Sequence, residues 1–224
     1  MKPIIIFTFL LLLSTHGSAE VWDYQLKDAM VEKVDEKGKK SHTIDMRVID
    51  YYINRISTHA KEYPPKFKSK KEQDEVIDKL EQLIGLLEII GENQQNNPEF
   101  IARAALANSM GHNVDLKGSA EKSGIYYKKL LRLTPDSPIA NYHYGMFLSG
   151  TRKHHFDSIP YLEKALKLGQ EDARYTLGLL YYQLGDKEKG MSMLRKYSLN
   201  NPKNKHVKKL IEAINSGKLK FESS

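Results

Sequence analysis

The sequence predicts an all-α fold, a stack of antiparallel helix pairs. Three observations carry this. Apolar residues recur at three- and four-residue spacing through long stretches. Prolines and glycines fall at the ends of those stretches, where helices start and stop. The chain also repeats itself from residue 98 onward, at a period suited to two short helices and a turn.

The first 19 residues are set apart. "MKPIIIFTFLLLLSTHGSAE" has one lysine, an apolar run from Ile4 to Leu13 and the small residues Gly17, Ser18 and Ala19. This is the pattern of a secretory signal peptide cut after Ala19. The apolar run is about half the roughly 20 residues that a bilayer span needs. Export to the bacterial periplasm, or secretion, is therefore expected, with no integral membrane segment after cleavage. The chain contains no cysteine. Lipid attachment at cysteine and disulfides are both excluded, and an apolar core must hold the exported protein.

Residues 20–43 lack sustained apolar periodicity and predict a loosely held N-terminal arm. Ile44, Val48, Tyr51, Tyr52 and Ile56 then place one apolar face on a helix over about 44–61, which Pro64 and Pro65 stop. Val76, Ile77, Leu80, Leu83, Ile84, Leu87 and Ile90 form a broader stripe on a second helix, closed by Gly91 and the loop before Pro98. The two make an N-terminal pair within 44–97.

The repeat is most regular toward the C-terminus. "ANYHYGMFL" (140–148) superposes on "ARYTLGLLY" (173–181) at an offset of 33, and Leu162 superposes on Leu194 at 32. A third copy, 98–137, has a longer loop near 112–119. A unit of two short helices cannot bury its apolar face alone, so neighbouring copies supply the core.

Residues 171–204 resemble a tetratricopeptide repeat along their full length. They carry the Leu177-Gly178 pair, Tyr181, the Gly185-Asp186 turn and the closing Pro202. Residues 138–170 resemble the same family with an altered turn filled by His154, His155 and Phe156, residues 98–137 with an insertion, and 44–91 as a degenerate unit. The resemblance implies a right-handed superhelical stack. It also accounts for glycine inside helices: Gly145 and Gly178 stand where paired helices cross too closely for a β-carbon, and Gly185 allows the tight turn. Thr176, across the helix from Gly178, is expected to tolerate alanine. Gly190 occupies a position where the family usually has alanine, and Tyr197 one that is usually small. Residues 205–224 then read as a capping helix and tail that pack differently from a regular repeat.

The candidate chemistry is sparse. Metal sites need three or four converging ligands, and the one local His/Asp cluster, His154 to Asp157, places adjacent histidines pointing apart. No nucleophile elbow or phosphate-binding glycine loop occurs. No catalytic residue, metal or cofactor is expected. The formal charge of +7 sits in local clusters, read either as solvated faces of lysine-rich helices or as attraction to acidic partners or an anionic membrane. Export argues against nucleic acid.

Binding of a protein or peptide fits best. Besides the packing stripe of Tyr144, Gly145, Leu148, Leu177, Gly178 and Tyr181, the first helices show a second one: Tyr142 and Met146, then Tyr175, Leu179 and Tyr182. The resemblance implies that this face lines a concave groove where partners dock, with Asn108, His143 and Gln183 adding polar contacts. The competing expectation is that these tyrosines only pack between repeats. The protein is thus expected to be a non-catalytic interaction module or assembly adaptor for another envelope protein. The alternatives are a structural subunit using another surface, or an enzyme of unrecognised type.

Overall fold

The structure, a computed structural model, describes residues 22–150 and 154–218. The expected signal peptide, residues 1–19, lies outside the described residues. Nine helices are described: α1 Met46–Ala60, α2 Lys70–Gly91, α3 Pro98–Asn113, α4 Ser119–Leu133, α5 Pro138–Ser149, α6 His155–Lys167, α7 Asp172–Gln183, α8 Lys187–Asn200 and α9 Lys205–Asn215. They form an all-α helical-repeat solenoid.

The helix starts follow from side chains that take up free backbone N–H groups. Asp45, Ser69, Asn97, Ser137, Asp186 and Asn204 each accept such a bond at the head of α1, α2, α3, α5, α8 and α9. Pro98 and Pro138 occupy first-turn positions, where a missing N–H is harmless. Gly169 and Gly185, each at φ +96°, close α6 and α7 in the left-handed conformation.

Helices pair as α3–α4, α5–α6 and α7–α8. First helices also touch across pairs, α1 to α3, α3 to α5 and α5 to α7, whereas second helices stay further apart. The stack therefore bends with its first helices inside.

Glycine sets the spacing within pairs. A β-carbon on Gly145 would lie 2.6 Å from Leu162 Cγ, and one on Gly178 would lie 2.9 Å from Leu194 Cγ. Leu162 and Leu194 are thus equivalent, as the 32-residue offset requires. Gly190 is tighter still: its β-carbon would stand 2.6 Å from both the Gly178 carbonyl oxygen and the Tyr182 nitrogen. Its neighbours are backbone, so alanine has no room here. In α3–α4 the equivalent crossing is Ala105 with Ser123, whose hydroxyl donates to the Ala105 carbonyl at 3.1 Å. The inserted residues lengthen both helices, which cross again where Gly111 faces Ser119.

Within the arm expected over 20–43, the described residues 22–43 form structure instead of a loose segment. After a 3-10 turn, Leu26–Ala29, strands β1 (Met30–Val34) and β2 (Lys40–Ile44) pair antiparallel, Glu32 opposite His42. Trp22 pins this segment. It stacks on Tyr52 at 4.9 Å and donates from its indole nitrogen to Glu75 at 2.9 Å, while Ala29 is fully buried. These tertiary contacts override a local sequence with no pattern of its own.

The core is divided along the stack. The first cluster joins α1, α2 and α3 through Ile49, Tyr52, Ile56, Leu80, Leu83, Leu87 and Phe100, and smaller clusters follow each later pair. Arg103 ties α3 to α1 with two bonds to the Asp50 carboxylate, 2.7 and 2.8 Å. The last helix, α9, lies against α8, burying Ile214 beside Met191 and Leu194, and Val207 is buried as well.

Candidate functional site: the inner face of α5 and α7

Tyr142 and Met146 on α5, and Tyr175, Leu179, Tyr182 and Gln183 on α7, are each half-buried. Helical spacing places each set on one face, and the 33-residue offset puts them side by side. Two residues missed in the sequence belong with them. Ile139, three residues before Tyr142, is 59% exposed, and Asp172 holds the same place on α7. The signal was available: both continue the stripe back by one turn.

The stripe is a shared surface of two kinds. Tyr142 packs on the core cluster of Leu162, Leu177 and Leu180. Burial, then the nearby Asp172 carboxylate, pushes its phenol up to about 12. Tyr175, Leu179 and Tyr182 lean on the terminal cluster of Met191, Leu194 and Ile214. Tyr197 closes the floor: its hydroxyl donates to Asp172 at 2.9 Å and its ring tilts against Tyr175 at 5.5 Å. The bulky residue at this usually small position thus braces the inner face. Both readings of the stripe hold in part, since each tyrosine buries one side and shows another.

Three expectations change. Asn108 is not on this surface. It is 1% exposed, its amide donates to Ala104 at 2.9 Å, and its carbonyl oxygen has no partner. The crossing of Ala105 with Ser123 puts Asn108 in the column of Leu148 and Tyr181, the packing stripe, and the insertion hides this in the sequence. His143 is half-buried rather than freely offered. Burial, aided by the Lys61 charge, holds its imidazole down at about 4, so it is neutral at pH 7. Thr176 is 8% exposed, and its hydroxyl points at Met146 Sδ, 3.3 Å away. It belongs to the seam between repeats instead of tolerating loss freely.

The rim is charged. Glu62 acts on both Tyr142 and Tyr175, and Lys61 on His143. Asn113 holds this turn by donating to the Ala60 and Lys61 carbonyls. Sequence reasoning missed Lys61 and Glu62 because only folding brings the α1–α2 connection to α5. Elsewhere, His154 Nδ1 lies 2.9 Å from Asp157, and among the described residues no group of three or more His, Cys, Asp or Glu could hold a metal ion.

Comparison with known proteins agrees on architecture. Residues 171–204 match the tetratricopeptide repeat family. The fold is similar to that of MamA, with a TM-score of 0.53 and 19% identity, covering 68% of this chain and 86% of that one. It is also similar to a thermophilic TPR protein of Thermus thermophilus, with a TM-score of 0.53 and 13% identity, covering 75% and 91%. Over 87 residues the chain is 32% identical to the aspartyl/asparaginyl beta-hydroxylase of Mus musculus, 39% of this chain and 11% of that protein. The chain thus carries a tetratricopeptide repeat within the fold of TPR proteins, and spans about a tenth of the hydroxylase. No described helix is long and apolar enough to cross a membrane.

Proposed function

We propose that this chain is a non-catalytic protein-interaction module, exported to the periplasm, that docks another envelope protein on the inner face of α5 and α7. The observation that supports it is the row Ile139, Tyr142 and Met146 beside Asp172, Tyr175 and Tyr182. Apolar and aromatic side chains are left partly exposed along a rigid, repeated scaffold. Tyrosine suits such a surface because it offers large area with few torsions to freeze. The charges of Glu62, Lys61 and Asp172 around it select the partner's orientation more than they add affinity. The 87-residue similarity to the hydroxylase covers too little of that enzyme to bring its activity here.

The test separates binding from folding. Ile139→Ser combined with Tyr182→Ala changes partly exposed positions, so the melting transition should move little. Partners recovered by the wild type from an envelope extract should be lost, since a docked anchor contributes about 2 kcal/mol or more. A folded double variant that still retains every partner would move the function to another surface. N-terminal sequencing of the periplasmic fraction should begin at Glu20; a full-length chain in salt-washed membranes would replace cleavage by anchoring.

A further inference from the structure

The positive charge of this protein is concentrated at one end. Residues 187–224 hold ten lysines and arginines against three acids, whereas residues 1–186 hold twenty-five of each, so the excess of +7 comes entirely from the last two helices and the tail. Arg195, Lys196, Lys203, Lys205, Lys208 and Lys209 are all exposed. None forms an ion pair among the described residues. Lysines elsewhere often do: Lys40 with Glu32, Lys70 with Asp74, Lys122 with Glu88, Lys164 with Asp136.

A solenoid end needs a polar face to stop further stacking, but mixed charges suffice for that. The opposite end shows it: the hairpin of β1 and β2, with its turn, has four lysines and three acids. An end with so large a positive excess, Glu212 being the one acid on the lysine face of α9, calls for an anionic counterpart.

The side chains indicate which. Protein interfaces are depleted in lysine and built on aromatic and arginine anchors, and nucleic-acid sites add stacking aromatics and bidentate arginine to their phosphate-neutralising charges. This end has five lysines and one arginine among the six, and among its described residues the exposed large apolar side chain is Leu199, 79% exposed between Arg195, Lys196 and Lys203. Hydrated point charges on long stems suit a diffuse anionic plane. On α9, Lys205, Lys208 and Lys209 share the outer face, while Leu210, Ile211 and Ile214 pack with Met191 and Leu194 of α8 and Val207 is buried. The helix is held with its charges outward and its apolar face occupied.

We propose that the α8–α9 end is a docking surface for an anionic lipid bilayer, held by electrostatic attraction, leaving the inner face of α5 and α7 free. The test is co-sedimentation of the full chain with phosphatidylcholine vesicles with and without phosphatidylglycerol. The neutral vesicles subtract any binding through the apolar N-terminus. Lys205→Gln, Lys208→Gln and Lys209→Gln together should lower binding to the anionic vesicles about a hundredfold, at roughly fivefold per lysine, and raised salt should release the wild type. Lys33→Gln, Lys37→Gln and Lys39→Gln remove the same net charge from the hairpin and should leave binding unchanged. Three results overturn the proposal: no preference for anionic over neutral vesicles, equal losses in the two triple variants, or stronger binding to polyglutamate or duplex DNA than to vesicles.

Discussion

The N-terminal pair and the last repeat bury their helices by opposite means. In α7–α8 the helices cross on glycine, with the Gly190 Cα held against the backbone of Gly178 and Tyr182. In α1–α2 the helices splay, each resting on α3, and large aliphatic side chains fill the wedge under a Trp22–Tyr52 stack. Close crossing demands a small residue at one position and tolerates little else. A wedge filled by leucine and isoleucine is satisfied by many arrangements of similar volume. The first solution leaves a motif in the sequence; the second leaves only a periodicity.

Three measurements on four variants would test this contrast. Truncation should be felt most in the wedge: Leu83, fully buried in the first cluster, should cost about 4 kcal/mol on replacement by alanine, because the cavity adds to the lost burial. Chemical denaturation measures it, and a cost under about 1 kcal/mol would mean that the wedge collapses freely.

Next comes His143 on α5, which lies between the two regions and feels the Lys61 charge at the end of α1. Burial depresses the folded imidazole to about 4 from its ordinary 6.5. The unfolded chain therefore binds a proton that the folded chain refuses. The stability is fully present above about pH 6.5 and declines as pH falls toward 4, by about 3 kcal/mol in all. His143→Gln should flatten this dependence relative to the wild type in urea titrations at a series of pH values. Identical pH profiles would place the imidazole in solvent.

The glycines give the sharpest opposition. Gly190→Ala forces a β-carbon onto backbone and should cost about 2 kcal/mol or more. Gly85, within α2, has open space around it, with nothing within 4 Å of where a β-carbon would stand, so Gly85→Ala should instead stabilise by about 1 kcal/mol through helix propensity alone. Thermal melting of the two variants decides it. A loss at Gly85 would show that the N-terminal pair is packed as closely as the last repeat.

How far the site was legible follows the same division. Tyr142, Met146, Tyr175, Leu179 and Tyr182 could be found because a helical face repeated at 33 residues marks them twice. Asn108 was misplaced because the insertion after it broke the register, and only the contact of Ser123 with Ala105 restores it. Asp172 and Ile139 lay within reach of the helical period. Lys61, Glu62 and Tyr197 did not, because each reaches the inner face from another element.

The helices, the repeat and the need for glycine at the crossings follow from residues within one or two turns of each other or from a repeated unit, and so could be read from the chain alone. Contacts between distant elements set the rest: Trp22 orders the segment before α1, burial holds His143 neutral, and each stripe tyrosine is half core and half surface. Burial and the charges facing a side chain are properties of what the chain brings next to it, and no local pattern specifies them.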